Sequence, residues 1–199
     1  MPRDIYIQNS LIPKRYLQDI KLVPAKIDEQ TFIYLNNYKN SISDHVMNGD
    51  NLLIYSSKVG NGKTTWATKI LREYIEYKSP YSVINNCPGI YINVNNFLSE
   101  KKRSITEKSL SNYIIDIEKK LLSSHLVVFD DIGVKNQSDF DLGALYYWID
   151  YRTSNMKSCI FTSNVTPEQL KNVLDERLYS RIVKYSIVKE IKDGDNREC

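Results

Sequence analysis

The sequence has very few of the residues that build disulfide frameworks and zinc sites. Of its 199 residues, three are cysteine and two are histidine. The cysteines, Cys87, Cys159 and Cys199, are odd in number and share no paired spacing, so neither kind of site is indicated and a reducing compartment is expected. His45 and His125 each stand alone in the chain. Because an isolated histidine carries few of the arrangements that catalysis needs, we look for the chemistry in other residue types.

Long apolar runs are also missing. No segment approaches the roughly 20 consecutive apolar residues of a membrane-spanning helix, and the start, Met1-Pro2-Arg3-Asp4, lacks the apolar stretch of a secretion signal. We therefore expect a cytoplasmic protein with no membrane partner. The charge of the chain excludes few classes of function, because 27 basic and 24 acidic residues leave a net charge of +3. Such a mildly basic chain permits a nucleic-acid partner without requiring one.

What the sequence does contain is an alternation of short apolar strands with helical patterns. The five predicted strands are Asn51–Tyr55, Ile90–Val94, Leu126–Phe129, Cys159–Thr162 and Lys184–Ile191. The predicted helices are Ile27–Met47, Thr64–Tyr77, Asn95–Leu122, Phe140–Arg152 and Pro167–Ser180. This order predicts a three-layer α/β sandwich with a five-stranded parallel sheet, whose ligands bind beyond the carboxyl ends of the strands.

A glycine-rich loop, Ser57–Thr65, follows the first predicted strand and leads into a predicted helix. Its sequence, S-K-V-G-N-G-K-T-T, matches the phosphate-binding pattern G-x-x-x-x-G-K-[ST], except that Ser57 replaces the first glycine. Gly60 and Gly62 let the backbone turn its N–H groups inward as an anion site. The helix that begins near Lys63 points its positive end at the same place.

The side chains of this loop complete the prediction of a P-loop. Lys63 can reach the β- and γ-phosphates of a nucleotide, and the Thr64 hydroxyl can bind Mg²⁺. We therefore predict that the chain binds a nucleoside triphosphate with Mg²⁺ and hydrolyses it. The predicted nucleotide-binding residues of the loop are Ser57, Val59, Gly60, Asn61, Gly62, Lys63, Thr64 and Thr65.

Two carboxylates end the third predicted strand. Asp130 and Asp131 follow Leu126–Phe129 directly, although ionised carboxylates resist desolvation. Asp130 suits the role of holding Mg²⁺ through water, next to Thr64. Asp131 suits the base or polariser of the attacking water. The pair therefore predicts the hydrolytic half of the site.

The fourth predicted strand is also followed by polar residues. Asn164 follows Thr162 and Ser163 and is predicted to orient the attacking water against the γ-phosphate. The alternative is that Asn164 only forms the turn before a helix start at Thr166. The residues themselves leave both roles open.

Two arginines stand four residues apart on one predicted helix face. Arg177 and Arg181 could be solvated surface charge only. An arginine supplied across a subunit interface, however, stabilises the charge that develops on the transferring phosphoryl group. That role would make hydrolysis depend on head-to-tail self-association.

Taken together, these motifs resemble the AAA+ ATPases of the DnaC/DnaI helicase-loader group and the related IstB transposition helpers. The resemblance runs from about Ile12 to Arg197, most of the chain. Three stretches carry it: Ser57–Thr65 looks like Walker A, Val127–Gly133 like Walker B, and Ile160–Asn164 like sensor 1. In the second stretch Asp131 stands in for the more general glutamate. The resemblance implies a P-loop AAA+ fold in which the triphosphate is ATP.

The resemblance also assigns residues that spacing alone does not. Tyr16, in the segment Ile12–Tyr16, would lie beside the nucleotide base. Arg181 would be the catalytic arginine finger, with Arg177 a weaker candidate. Arg197, near the end of the chain, would contact nucleotide as sensor 2. The implied catalytic residues are then Lys63, Asp131, Asn164 and Arg181.

The partners implied by the resemblance are a replicative helicase and single-stranded DNA, and the small size would fit a phage replication protein. The segment Asn95–Leu122 takes the place of a helical insertion that faces DNA. It carries Lys101-Lys102-Arg103 after Phe97, where basic groups can follow a phosphate backbone and an aromatic ring can stack on bases. A charged helix face that is merely solvated is the alternative.

The sequence departs from the helicase loaders in two ways. They usually carry an N-terminal domain that grips the helicase, whereas here we expect only an N-terminal arm, residues 1–30, before an AAA+ core of residues 31–199. The helical lid of many AAA+ proteins is also not expected after the fifth strand, which is common in this group. Helicase binding is therefore either lost or uses another surface.

Three other functions stay open at this point. The first is an IstB-like partner of a transposase, which shares the same core. The second is a small-molecule P-loop kinase, against which the carboxylate pair and Asn164 argue. The third is a regulator that occupies the helicase-loader interface without hydrolysing ATP.

Overall fold

The structure, a computed structural model, describes residues 2–79, 87–134 and 137–193. Its strands form one parallel sheet in the order β2-β3-β4-β1-β5. They are β1 Asn51–Tyr55, β2 Gly89–Asn93, β3 Leu126–Ile132, β4 Ser158–Ser163 and β5 Ser186–Glu190. The predicted five-stranded parallel sheet is confirmed.

Helices cover both faces of the sheet. They are α1 Pro2–Asn9, α2 Glu29–Asn40, α3 Ile42–Asn48, α4 Lys63–Lys78, α5 Val94–Arg103, α6 Lys108–Ser123, α7 Asp139–Ser154, α8 Pro167–Val173 and α9 Glu176–Tyr179. Short 3-10 turns lie at Lys14–Leu17 and Lys26–Asp28. No described helix is long and apolar enough to cross a membrane.

Alternating side chains along each strand divide the apolar residues into two cores. In β1, Leu52 and Ile54 face the core formed with α1–α4, and Leu53 faces the core formed with α5–α9. All three are fully buried, as a parallel sheet covered on both sides requires. The sheet therefore lies between two helical layers, which is the predicted three-layer sandwich.

Three predicted helices are divided in the structure, because local hydrogen bonds end each first half. The pairs are α2 and α3 within Ile27–Met47, α5 and α6 within Asn95–Leu122, and α8 and α9 within Pro167–Ser180. At the last division, the Asp175 carboxylate accepts a 2.7 Å hydrogen bond from the backbone N–H of Leu178 and starts α9. The fifth predicted strand is also shorter, since a π-helical turn, Ser180–Lys184, precedes β5.

The N-terminal arm packs on the α4 side of the sheet. Tyr6 and Ile12 are buried in that core, and the carbonyl of Ser10 accepts a 2.8 Å hydrogen bond from the backbone N–H of Tyr91 at the edge strand. Arg72 of α4 donates to the carbonyls of Tyr16 and Gln18. These contacts bring Tyr16 to the carboxyl edge of the sheet.

One buried arginine connects the amino ends of β3 and β4, at the opposite end of the sheet from Tyr16. Arg152 of α7 is fully buried. Its guanidinium donates to four backbone carbonyls at 2.6–3.0 Å, those of Leu121, Ser124, His125 and Ser158. Because these residues precede or begin β3 and β4, Arg152 fixes the starts of the two strands whose other ends carry Asp130 and Asn164.

Candidate functional site

The P-loop joins the carboxyl end of β1 to the first residue of α4. Gly60 and Gly62 have φ angles of 82° and 91°, a conformation that glycine adopts without strain. A side chain at Gly62 would also meet Leu22, whose Cδ2 would lie 2.9 Å from the added carbon. The loop borders a cavity of about 390 Å³, which its residues line from Val59 to Thr65. Ser57 is exposed at the start of the loop, before this lining begins.

Lys63 lies at the floor of this cleft, and its ammonium group is turned onto its own loop. Its side-chain Nζ donates 3.0 Å hydrogen bonds to the carbonyl of Lys58 and to Oδ1 of Asn61. Burial lowers the pKa of Lys63, while the carboxylates of Asp131 and Asp130 act in the opposite direction. The Asn61 amide in turn donates to the carbonyl of Ile191, just after β5. An anion in the cleft would compete with the carbonyl of Lys58 and the side-chain oxygen of Asn61 for the ammonium group of Lys63.

Asp130 ends the regular pairing of β3 beside the first turn of α4. Its side chain is buried at 2% exposure and accepts hydrogen bonds from three hydroxyl groups. Thr64 and Thr162 donate to Oδ1 at 2.8 and 2.6 Å, and Tyr91 donates to Oδ2 at 2.7 Å. Burial, and next the Asp130 charge, raises the pKa of Tyr91. The structure thus places Thr64 and Asp130 together, as the sequence predicted.

The paired oxygens of Thr64 and Asp130 suit a hard divalent cation. Mg²⁺ prefers hydroxyl, carboxylate and phosphate oxygens and keeps several water molecules when bound. Within residues 2–79, 87–134 and 137–193, no cluster of three or more His, Cys, Asp or Glu residues could hold a metal ion. A cation here would therefore take its remaining ligands from water and from the nucleotide, which fits Mg²⁺.

Asp131 has a backbone conformation that is rare for a residue with a side chain. Its φ angle is 60°, in the left-handed region that costs energy for residues other than glycine. Its backbone N–H donates to Oγ1 of Thr162 at 3.0 Å, and its carbonyl accepts from the Asn95 amide at 3.2 Å. These contacts hold the turn and direct the carboxylate into the cleft, whose lining includes Asp131 and Asn164.

The Asp131 carboxylate is bound on both sides by amides. Asn164 donates to Oδ1 at 2.9 Å and Asn93 donates to Oδ2 at 3.2 Å. Burial raises the pKa of Asp131, and the neighbouring Asp130 raises it further, while Asn93, Lys63 and Asn164 oppose the shift. The structure therefore brings together Asp131 and Asn164, the two residues predicted to prepare water.

Comparison with curated proteins finds distant relatives. No protein-family model matches the chain. It is 26% identical over 149 residues to the uncharacterized protein YdaV of Escherichia coli K12, covering 75% of this chain and 56% of that protein. It is 25% identical over 135 residues to the replicative helicase loader DnaC of Buchnera aphidicola subsp. Baizongia pistaciae, covering 65% and 49%. The chain thus spans about half the length of the curated relatives it matches.

Comparison with solved structures finds the same fold in two helicase-loader proteins and in a replication initiator. The crystal structure of the DnaC helicase loader matches with a TM-score of 0.72 at 22% identity, over 90% of this chain and 100% of that one. The crystal structure of DnaI matches with a TM-score of 0.69 at 18% identity, over 91% and 95%. The replication initiator DnaA bound to AMPPCP and single-stranded DNA matches with a TM-score of 0.69 at 16% identity, over 94% and 52%.

The chain is similar in sequence to helicase loaders of the DnaC group. Its fold is that of the P-loop AAA+ domains, which the sequence predicted. The glycine-rich loop after β1, the carboxylates in the last residues of β3 and the asparagine after β4 all lie at one edge of its sheet. This is the edge at which open parallel sheets bind ligands.

Tyr16 lies at the cleft together with a neighbour, Arg15, that the prediction left out. Both Arg15 and Tyr16 line the cavity beside the P-loop. The Arg15 guanidinium lies 4.4 Å from the centroid of the Tyr16 ring and donates a hydrogen bond to the Tyr16 hydroxyl. The position of Tyr16 agrees with a place beside the nucleotide, but contact with the base stays a prediction.

The two candidate arginines lie at a different cavity of about 310 Å³, which is also lined by Glu176, Ser180 and Lys184. Arg181 donates to the carboxylate of Asp150 at 2.8 Å, and the Arg177 guanidinium lies 4.8 Å from the centroid of the Tyr146 ring. Neither lines the P-loop cleft of its own chain. An action of Arg181 on a neighbouring copy stays a prediction, and Arg197 lies outside the described residues.

The basic cluster at the end of α5 is paired within the chain. Lys101 contacts Glu118 and Lys102 contacts Asp141, each at 2.6 Å, and Arg103 contacts Glu107 at 3.0 Å. A nucleic-acid phosphate would have to compete with these carboxylates.

The prediction that Phe97 stacks on bases is wrong. Its ring is 4% exposed and packs 5.3 Å from the centroid of Trp148, because its position on α5 faces the core. Tyr113 of α6 is the half-exposed aromatic of the same insertion, at 46%.

Sequence reasoning missed the residues that support the two carboxylates. These are Tyr91 and Asn93 on β2, Asn95 on α5 and Thr162 on β4. One signal was available, since Asn93 lies one residue before the end of the second predicted strand, and Asp130 and Asn164 lie just beyond the ends of theirs. Which strands are neighbours was not readable from the chain, and this decides which polar ends meet.

Proposed function

We propose that this protein binds ATP with Mg²⁺ and hydrolyses it, and that the ATP cycle controls loading of a replicative helicase onto single-stranded DNA. The observation that carries the proposal is the convergence of two pairs at the P-loop. Thr64 lies 2.8 Å from Asp130, and Asn164 lies 2.9 Å from Asp131. A cleft that only held a nucleotide would need the first pair and not the second.

The binding step would exchange contacts within the loop. Lys63 would leave the carbonyl of Lys58 and the amide of Asn61 for the phosphates of ATP, joined by the N–H groups of the loop and of the first turn of α4. Thr64 and Asp130 would hold Mg²⁺, which when bound neutralises phosphate charge. Tyr16, which lines the same cleft, would lie beside the base.

The hydrolytic step would use Asp131 and Asn164. The Asp131 carboxylate would accept a hydrogen bond or proton from the attacking water, and the amide of Asn164 would orient that water toward the γ-phosphate. The burial that raises the pKa of Asp131 also makes its carboxylate a stronger base. Arg181 of a second copy would supply positive charge from outside, in a head-to-tail assembly.

The part of the proposal that concerns partners rests on the relatives. Two of the curated matches are replicative helicase loaders, and one structural match is a DnaA bound to single-stranded DNA. We therefore assign a replicative helicase and single-stranded DNA as partners, in the cytoplasm. Within the insertion, Tyr113 is the exposed ring available for stacking, and the paired lysines of α5 would exchange carboxylates for phosphates.

The decisive experiment measures ATP hydrolysis with and without single-stranded DNA over a range of protein concentrations. A specific rate that rises with protein concentration and with DNA supports an assembling loader. A rate that depends on neither, together with phosphate transfer to a small-molecule acceptor, supports a kinase instead. Binding without turnover under all conditions supports the non-hydrolysing regulator.

A second measurement separates the loader from a transposition helper, which shares the core. Purified replicative helicase and purified transposase are each mixed with the protein and MgATP, and co-elution is followed by gel filtration. Co-elution with the helicase alone is expected. Co-elution with the transposase alone would overturn the loader assignment while leaving the ATPase site intact.

A further inference from the structure

Strand β2 contributes a tyrosine hydroxyl to the carboxylate assigned to Mg²⁺. Tyr91 donates to Oδ2 of Asp130 at 2.7 Å, and its side chain is 5% exposed. In the parallel pairing of β2 with β3, Tyr91 lies opposite Val128 and Asn93 lies opposite Asp130. Tyr91 and Asn93 are two residues apart, so both side chains leave the same face of β2. The strand thereby offers one polar group to each carboxylate of the pair.

The ring and the hydroxyl of Tyr91 have separate surroundings. The ring belongs to the core between the sheet and α4, together with Leu71, Val128 and Ile160. The hydroxyl alone meets the buried carboxylate. Phenylalanine would serve the packing equally well, so packing does not account for the hydroxyl. A buried carboxylate, in contrast, needs donors on both oxygens to offset its lost hydration.

The donors divide between the two oxygens of Asp130. Oδ1 accepts from Thr64 and Thr162, and Oδ2 accepts from Tyr91. A carboxylate that is held at both oxygens cannot rotate about its Cβ–Cγ bond without breaking a hydrogen bond. Oδ1 also accepts from Thr64, the second residue assigned to Mg²⁺, so Oδ1 is the oxygen on the side of the cation. Tyr91 fixes the position of Oδ1 by holding Oδ2.

Tyr91, although buried, also borders the site. Together with Thr64 and Asp130, it lines a groove of about 400 Å³ that adjoins the P-loop cleft and shares Arg15, Tyr16, Thr64 and Asp131 with it. Tyr91 therefore lies where the core meets the site.

We infer that Tyr91 is a positioning residue for the divalent cation: its hydroxyl holds Oδ2 of Asp130 so that Oδ1, beside Thr64, is presented to Mg²⁺. The inference rests on the proposed MgATP site. Groups that orient a metal ligand from behind typically change metal affinity by about 10-fold or more when removed. Tyr91 then sets the Mg²⁺ concentration that the site requires. It has little effect on nucleotide affinity when Mg²⁺ is absent.

The test compares Tyr91→Phe with Tyr74→Phe as a matched control. Tyr74 is also a buried tyrosine, and its hydroxyl contacts Nδ1 of His125 at 3.0 Å, away from the cleft. A fluorescent ATP analogue is titrated into each protein in EDTA and at increasing Mg²⁺. Tyr91→Phe should raise about tenfold the Mg²⁺ concentration at which half of the increase in nucleotide affinity is reached. The nucleotide affinity in EDTA should be unchanged. Tyr74→Phe should match the wild type in both.

Mn²⁺ binding gives a readout that does not depend on activity. With a non-hydrolysable ATP analogue bound, the free Mn²⁺ signal in electron paramagnetic resonance should show about tenfold weaker binding by Tyr91→Phe. In an Asp130→Asn background the same substitution should add no further loss, because the two changes act on one contact. This cycle distinguishes loss of the contact from general damage to the fold.

The outcomes separate this inference from the proposed function. A wild-type protein that binds no nucleotide overturns the MgATP site itself. A wild type that binds normally, with Tyr91→Phe showing an unchanged Mg²⁺ requirement, overturns only the role of Tyr91. Equal weakening with and without Mg²⁺, or full additivity with Asp130→Asn, also overturns it, because either result indicates a structural role.

Discussion

Asn164, at the end of β4, donates a 2.9 Å hydrogen bond to Oδ1 of Asp131, at the end of β3. Asp131 is held from the other side by Asn93 of β2, so three neighbouring strands meet at one carboxylate. The left-handed backbone of Asp131 is strained. Such strain persists where the surrounding contacts hold the residue firmly in place. We take this as the reason to test Asp131 before any other residue.

Asp131→Asn should retain ATP binding and lose hydrolysis. The amide keeps the size of the side chain but cannot accept a proton from water, and loss of such a group typically costs about 100-fold or more in rate. ATP binding and steady-state phosphate release are measured on the same preparation. Asp139→Asn, at an exposed acid in the first turn of α7, is the control. A normal rate for Asp131→Asn would remove Asp131 as the base.

Lys63→Ala should abolish nucleotide binding, because the ammonium group is the principal positive charge at the floor of the cleft. The matched control is Lys58→Ala in the same loop, whose side chain is exposed and lies 3.5 Å from Asp193. Affinity for a fluorescent ATP analogue is measured by titration. Unchanged affinity in Lys63→Ala would contradict the P-loop assignment.

Arg181→Ala should lose hydrolysis and regain part of it when mixed with Lys63→Ala protein. In a head-to-tail assembly, the mixed interface joins the intact cleft of one variant to the intact Arg181 of the other. Asp150→Ala serves as a control, since it removes the partner of Arg181 within the chain and leaves the arginine in place. Full activity of Arg181→Ala alone, at all protein concentrations, would rule out this arginine finger.

Arg152→Met should destabilise the fold without touching the cleft. The substitution leaves four backbone carbonyls without their buried donor, and we expect a loss of about 3 kcal/mol in the free energy of unfolding. Urea denaturation measures it. Arg103→Met, which removes an exposed pair with Glu107, should change stability little. Equal midpoints for the two variants would contradict the bracing role of Arg152.

The segments that sequence reasoning placed well are those whose structure is set by neighbours along the chain. The glycines and the lysine of the P-loop are consecutive, and a strand precedes them while a helix follows. The helix start at Thr166 is likewise local, since its hydroxyl caps the N–H of Gln169 and the glutamine side chain returns to the N–H of Thr166. Such features depend on a few adjacent dihedral angles.

The contacts of the insertion could not be predicted in the same way. Val94, Phe97 and Leu98 stand at the spacing of one helix face and are all buried, so the burial of Phe97 had a signal in the sequence. Nothing in the chain, however, tells that Phe97 meets Trp148 or that Lys101 meets Glu118. Only the packing of α5 against α6 and α7 decides this. The predicted base-stacking ring is therefore a core residue, and the basic cluster has carboxylate partners.

The sequence by itself determined the loop Ser57–Thr65, the acidic pair after the third strand and the parallel α/β plan, because each follows from local conformation or from the period of apolar residues. The tertiary structure alone decided which polar groups act together. Tyr91 and Asp130 are 39 residues apart in sequence, and they meet because strand order places β2 beside β3. That order results from the packing of helices on both faces, which no single segment specifies.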